Sequence, residues 1–129
     1  MKNDSEPSHD SLQELQSRIV KFRDDRDWKQ FHNPKDLAIS LLLEASELLE
    51  HFQWKDTEEM KEHILKNNEA VRDELADVMY WVLLMAHDLD IHIGHATHSK
   101  LEKNSEKYPV EKARGNHKKY TELIEESVA

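Results

Sequence analysis

The chain has 129 residues, a length that fits one domain with one modest core and excludes a multidomain enzyme. Its net charge of -9 gives a surface field that repels phosphate polymers, so we expect no nucleic acid polymer as partner. The absence of cysteine excludes disulfides, thiolate nucleophiles and Cys-ligated zinc. No apolar stretch approaches the roughly 20 residues that a membrane helix needs. We therefore expect a cytoplasmic protein without membrane contact.

The pattern of apolar residues predicts an all-α fold, because Gly and Pro are scarce and apolar residues recur at helical spacing. We expect a four- to five-helix bundle-like domain. Asn33 followed by Pro34 is typical of a helix start. The predicted helices cover residues 12–25, 34–52, a short stretch after Asp56 or Thr57, residues 69–89, a stretch from near Gly94 to before Pro109, and, after a basic loop at Val110, residues 120–126.

The domain organisation that we predict is simple. Residues 1–10 are polar and form a disordered tail, and residues 11–129 form a single domain. Within that domain, residues 110–129 form an extended C-terminal segment.

Two acidic pairs interrupt helices that are otherwise apolar nearly all round. Glu44 and Glu47 lie three residues apart on the second predicted helix, and Glu74 and Asp77 have the same spacing on the long helix. Each pair therefore lies on one helix face. A single acidic pair on a surface helix is usually solvated, but two pairs on mostly buried helices are unusual.

Four converging carboxylates need a counter-cation. Two unit charges about 4 Å apart repel by about 4 kcal/mol at an effective dielectric constant near 20. Oxygen ligands without cysteine favour Mg²⁺, with Mn²⁺ as a substitute. A di-iron site is the alternative, but it requires Glu-x-x-His motifs, and His51 follows Glu47 by four residues.

A basic face and three tryptophans complete the candidate site. Alone, the basic face is typical of a solvated surface and a single tryptophan of a core anchor. Beside a metal site, the lysines could hold phosphates and the aromatic rings could stack on a nucleobase. The basic face consists of Lys100, Lys103, Asn104 and Lys107, followed by Tyr108, and the aromatic set consists of Trp28 with His32, Trp54 and Trp81.

A zinc site at His92, His95 and His98 is not favoured, because no fourth ligand is associated with them.

The acidic pairs with their flanking motifs resemble a known family. EASE at residues 44–47 and ELAD at 74–77 resemble the ExxE and ExxD signature of the MazG-like nucleoside triphosphate pyrophosphohydrolases. RDWKQFH at 26–32, FQWK at 52–55, Lys100 to Asn104 and KYPVEKAR at 107–114 resemble the dCTP pyrophosphatase branch of that family.

The resemblance implies hydrolysis of a nucleoside triphosphate to monophosphate and pyrophosphate, with the four acids as Mg²⁺ ligands. It also implies a homo-oligomer, typically a tetramer built as a dimer of dimers. Trp28, His32, Trp54 and Asn104 stand where the branch holds base, sugar or phosphate. Ile19 stands where a relative carries a base-contacting His, and Trp81 stands where Tyr is usual, so the preference for dCTP does not transfer directly.

We expect Glu47 to orient or deprotonate the attacking water, with the three lysines holding the outer phosphates. The alternative is a non-catalytic helical module that only self-associates, with its acids and lysines on the rim. A hydrolase of another phosphate ester would share the ligands but not the aromatic residues.

Overall fold

The structure, a computed structural model, describes residues 11–128, and all of their regular structure is helical. A 3-10 turn at Lys29–Phe31 joins the first two helices. This confirms the all-α prediction, although the described residues form seven α-helices, three of them of ten residues or fewer, where four to five helices were expected. The predicted tail at residues 1–10 lies outside the described residues. The helices are α1 (Leu12–Asp24), α2 (Pro34–Glu50), α3 (Thr57–Lys66), α4 (Asn68–Asp88), α5 (Ile93–Lys107), α6 (Val110–Ala113) and α7 (Tyr120–Val128).

The ends of the helices follow local chemistry. Asn33 accepts a hydrogen bond from the backbone N–H of Asp36 at 2.9 Å, and Pro34 occupies the first turn of α2. Asp56 and Glu59 form a reciprocal capping box at the start of α3. Helix α2 ends two residues before the predicted position, and one helical turn, α6, replaces the loop expected at Val110. Pro109 precedes that turn with a backbone already suited to starting a helix.

The described chain divides into two compact units, one that ends at Ile91 and one that begins at His92. In the first unit, α2 packs along α4, and α1 packs on α4 as well. The buried apolar side chains come from all three helices, and they fix α2 and α4 side by side. These side chains are Ile19, Leu37, Leu83, Leu84 and Ala86.

A buried ion pair joins α1 to the end of α4. The guanidinium of Arg23 is fully buried and donates to Asp88 at 2.5 Å and to Asp24 at 3.1 Å. Burial alone would raise the pKa of Asp88, but hydrogen bonds from Arg23 and His87 hold it below its usual value. Asp88 therefore stays charged and keeps Arg23 paired inside the core.

The second unit contains α5, α6 and α7. Leu123 of α7 is buried, the ammonium of Lys107 lies 4.8 Å from the centre of the Tyr120 ring, and Tyr108 meets that ring edge to face. Among the described residues, no helix is long and apolar enough to cross a membrane.

Candidate active site

Three of the four predicted carboxylates meet between α2 and α4. One carboxylate oxygen from each of Glu44, Glu74 and Asp77 lies within 4.8 Å of the other two. Glu44 and Glu74 are half-buried, whereas Asp77 is exposed. The spacing of three residues places each pair on one helix face, and the packing of α2 along α4 turns the two faces towards each other.

Glu47 is the fourth member of this carboxylate cluster and is exposed. The pKa of Glu44 is raised by burial first, then by the charges of Asp77 and Glu47 and by a hydrogen bond with Glu47. The pKa of Glu74 is raised by burial, then by a hydrogen bond with Glu47 and by the charges of Glu47 and Asp77. Glu47 therefore interacts with a carboxyl group on each of the two helices, and the four carboxylates influence one another electrostatically.

Two oxygens of this cluster are buried without a hydrogen-bond partner. They are Oε2 of Glu44 and Oε2 of Glu74, neither of which receives a hydrogen bond from residues 11–128. A buried acceptor left without a partner costs free energy, more so when it is charged. Two such oxygens among four carboxylates fit a hard divalent cation, for which Mg²⁺ and Mn²⁺ are the chemically suited ions.

A histidine pair lies beside the carboxylate cluster, and sequence reasoning did not find it. Nδ1 of His51, at the end of α2, lies 2.8 Å from Nε2 of His63 on α3. The position of His51 four residues after Glu47 indicated a shared helix face. Nothing in the sequence pattern indicated that His63 would meet it, because the contact depends on how the two helices join.

The aromatic residues form a connected series in the first unit. His32 meets Trp81 edge to face at 5.5 Å between ring centres, Trp81 meets Tyr80 at 5.1 Å, and Phe22 contacts both Tyr80 and Trp28. Burial and the charge of Arg23 lower the pKa of His32, whose buried Nδ1 has no partner among the described residues. The structure thus links three of the four predicted aromatic and histidine positions, namely Trp28, His32 and Trp81.

Trp54 is placed differently. Its side chain is 92% exposed, and its backbone has a φ of +69°, a left-handed conformation that is rare for a bulky residue. Trp54 makes no ring contact within the described part of the chain. A strained backbone that presents a bare indole to solvent is unsuited to a core anchor and suits a residue that contacts a ligand or another chain.

The predicted basic residues all lie in the second unit. Lys100 and the half-buried Asn104 line a cavity of about 380 Å³ along α5 together with Ile93, Ala96, Thr97 and Leu101. Lys103 is exposed. Lys107 and Tyr108 contact Tyr120, so α7 occupies part of their surface. The roles of these five residues stay predictions.

The chain is similar to known pyrophosphatases. The model of the MazG-like family matches residues 39–123. The dCTP pyrophosphatase 1 of Rattus norvegicus is 35% identical over 115 residues, which make up 88% of this chain and 68% of the relative. The protein of the same name from Bos taurus is 35% identical over 118 residues, or 90% of this chain and 70% of the relative. A pyrophosphatase from Archaeoglobus fulgidus has a similar crystal structure, with a TM-score of 0.73, 38% identity and coverage of 80% of this chain and 96% of that one.

The carboxylate cluster predicts a trade-off between stability and cation binding. Because the folded chain raises the pKa of Glu44, metal-free protein should lose stability as pH rises above the ordinary carboxyl pKa of 4.5. Glu44→Gln removes the negative charge that Asp77 and Glu47 repel, so the metal-free variant should melt at a higher temperature than wild type at neutral pH. The rise in melting temperature on adding Mg²⁺ should be largest for wild type and nearly absent for the variant.

Differential scanning calorimetry at about pH 5 and about pH 7.5, with and without Mg²⁺, measures both effects. Glu50→Gln is the matched control, since Glu50 is an exposed acid on the same helix. If Glu44→Gln shows the same rise in melting temperature with Mg²⁺ as wild type, Glu44 does not bind the cation.

Proposed function

The chain belongs to the MazG-like family, and from that premise we propose that it hydrolyses nucleoside triphosphates to the monophosphate and pyrophosphate. The deoxynucleotides, dCTP among them, are the proposed substrates, because the dCTP pyrophosphatases match most of this chain. The observation that carries the proposal is the carboxylate cluster between α2 and α4. Cleansing or balancing of the cytoplasmic nucleotide pool is the proposed role.

The carboxylate cluster would hold the cation through Glu44, Glu74 and Asp77, with Glu47 at its exposed side. When bound, Mg²⁺ or Mn²⁺ would offset charge on the phosphate oxygens and lower the pKa of a coordinated water. Glu47 is the best placed base, because it is solvent-accessible and interacts with both acidic helices. It would take the proton of the water that attacks the α-phosphorus, while the bond from that phosphorus to the bridging oxygen breaks and pyrophosphate leaves with the electron pair.

The outer phosphates need cationic and neutral donors. Among the candidates on α5, Lys100 and Asn104 line one cavity, and Lys103 is exposed beside them in sequence. Lys107 and Tyr108 are exposed as well, although each also contacts the ring of Tyr120. We propose that all five residues are candidates for phosphate binding.

The nucleobase would lie against the aromatic residues. Trp28, His32 and Trp81 form the connected part of this surface, and Trp54 supplies an indole that is still free to stack. The buried Ile19 presents no polar group to a base. Selectivity among bases would then depend on stacking and on the unpartnered Nδ1 of His32.

Self-association is part of the proposal. Helix α2 leaves Ile39, Leu42, Leu43 and Leu49 between 46% and 65% exposed, and α4 leaves Leu75 and Met79 at 57% and 43%. Apolar surface on this scale is typical of an interface. A second copy of the chain is the proposed occupant, and a tetramer made of two dimers is the proposed assembly. A module that only self-associates would account for this surface, but not for the convergent, half-buried carboxylates.

Replacement of Glu47 tests the chemistry. Glu47→Gln should keep the fold and lower the turnover of deoxynucleoside triphosphates in Mg²⁺ by about 10²- to 10⁴-fold, the usual contribution of a general base. Separate assays for pyrophosphate and orthophosphate identify the bond that is cleaved. Glu50→Gln, an exposed acid one turn further along α2, should stay near wild type. Activity of Glu47→Gln within a few-fold of wild type would exclude Glu47 as the base.

Replacement of Trp54 tests base stacking. Trp54→Ala should raise KM by about 5- to 150-fold, which corresponds to the roughly 1 to 3 kcal/mol of one stacked base. Because the indole is 92% exposed, the free energy of unfolding of the single chain should hardly change. Trp54→Phe should recover part of the loss. An unchanged KM in the alanine variant would mean that Trp54 does not contact the substrate.

Replacement of Leu42 tests self-association. Light scattering should give wild type a mass that is a multiple of the 15.3 kDa chain. Leu42→Glu introduces a charge on the exposed apolar face and should shift the mass to a smaller species, whereas Lys35→Glu at the start of the same helix should not. A wild-type mass of one chain at micromolar concentration would contradict the proposed assembly.

A further inference from the structure

Three side chains form a hydrogen-bonded chain beside the carboxylate cluster. The amide nitrogen of Asn67 lies 3.2 Å from Nδ1 of His63, and Nε2 of His63 lies 2.8 Å from Nδ1 of His51. Asn67 caps the end of α3, and His51 follows the last residue of α2. This series of hydrogen bonds therefore runs from the end of α3 to the end of the helix that carries Glu44 and Glu47.

The direction of donation along this chain follows from one backbone contact. The amide nitrogen of Asn67 also lies 3.3 Å from the backbone carbonyl oxygen of His63, and a carbonyl oxygen can only accept. The group at that position is therefore the NH₂ of Asn67, so Nδ1 of His63 accepts from it. Burial and the charge of Lys55 lower the pKa of His63, which favours its neutral form.

A neutral His63 that accepts at Nδ1 carries its proton on Nε2. That proton is donated to Nδ1 of His51, and a neutral His51 must then carry its own proton on Nε2. Asn67 and His63 thus determine the tautomer of His51. The result is a ring whose outer nitrogen is a hydrogen-bond donor.

The surroundings of His51 indicate an acceptor for this donor. His51 lies four residues after Glu47 and seven after Glu44, which places it on the acidic face of α2. The packing of α2 along α4 places this face against the helix that carries Glu74. Oε2 of Glu74 is buried and receives no hydrogen bond from residues 11–128 in this structure, so it can still accept one.

We propose that His51 is a positioning residue: when the cation site is filled, its Nε2–H donates to the carboxylate of Glu74 and holds that carboxylate in the orientation in which it binds the cation. The inference rests on the proposed function, since it assumes that Glu74 is a cation ligand. His63 and Asn67 act through His51, so α3 supports the metal centre without contributing a ligand. Carboxylates that bind metals are usually oriented by such outer hydrogen bonds, and their loss typically weakens metal binding about 10- to 100-fold.

Two variants at position 51 separate this role from a structural tie between α2 and α3. Gln places its amide nitrogen near the position of Nε2, so His51→Gln keeps a donor for Glu74. Asn places its amide oxygen near the position of Nδ1, so His51→Asn keeps an acceptor for His63 but loses the outer donor. If His51 positions Glu74, Mg²⁺ binding should weaken more in His51→Asn. If His51 only ties α2 to α3, Mg²⁺ binding should weaken more in His51→Gln.

The first measurement is the Mg²⁺ concentration that gives half of the full rise in melting temperature. We expect this concentration to increase about 10- to 100-fold in His51→Asn and to stay within a few-fold of wild type in His51→Gln. His117→Asn, at an exposed histidine in the loop before α7, is the control and should not change it. A wild-type Mg²⁺ response in His51→Asn, or the larger defect in His51→Gln, would overturn the proposal.

The second measurement is the tautomer of His51 in the metal-free protein, read from long-range ¹H–¹⁵N spectra of histidine-labelled samples. Wild type should carry the proton on Nε2, His63→Leu should lose this preference, and His63→Gln, which keeps a donor near Nε2, should retain it. A proton on Nδ1 of His51 in wild type would overturn the proposal. Neither measurement needs turnover, so a wild type that binds Mg²⁺ but hydrolyses no nucleotide would contradict the proposed function alone.

Discussion

Mutual repulsion of four carboxylates is the constraint on which the rest of this structure depends. Glu44 and Glu74 are half-buried between two packed helices, each has an oxygen without a donor, and Asp77 and Glu47 add further negative charge beside them. Without a cation this arrangement opposes folding, because burial and like charge both raise the free energy of the ionised acids. The carboxylate cluster therefore lowers the stability of the metal-free fold and is suited to binding a cation, a trade-off that is common at functional sites.

The scaffold holds the cluster together by ordinary packing. Leu37 on α2 and the Leu83–Leu84 pair on α4 are almost completely buried, and α1 closes the unit through Ile19 and the Arg23–Asp88 ion pair. These contacts fix the two acidic faces opposite each other at a distance where carboxylates interact strongly. At the edge of the same site, hydrogen bonds link Asn67 and His63 of the α3 region to His51 at the end of α2.

The rest of the first unit presents surfaces suited to other molecules. The exposed leucines of α2 and the bare, strained Trp54 expose apolar area that a single chain does not cover. A second copy on the helices and a nucleobase on the indole would each remove that area from water, which favours association at about 25 cal/mol per Å² of buried apolar surface. The proposed base stacking and self-association would thus use neighbouring parts of the first unit.

The sequence by itself indicated the main helices, the start of α2 at Asn33 and Pro34, a helix start at Asp56 or Thr57, and two acidic pairs three residues apart, because these features depend on local spacing. Its resemblance to one family also indicated the enzyme class that the comparisons support. Only the tertiary structure decided which acids are buried, that Trp54 stands apart from the other aromatic residues, that Lys107 packs on Tyr120, and that His51 meets His63. Those features arise from contacts between residues on different helices and turns, and helical periodicity, which acts within one segment, carries no information about how segments are placed against each other.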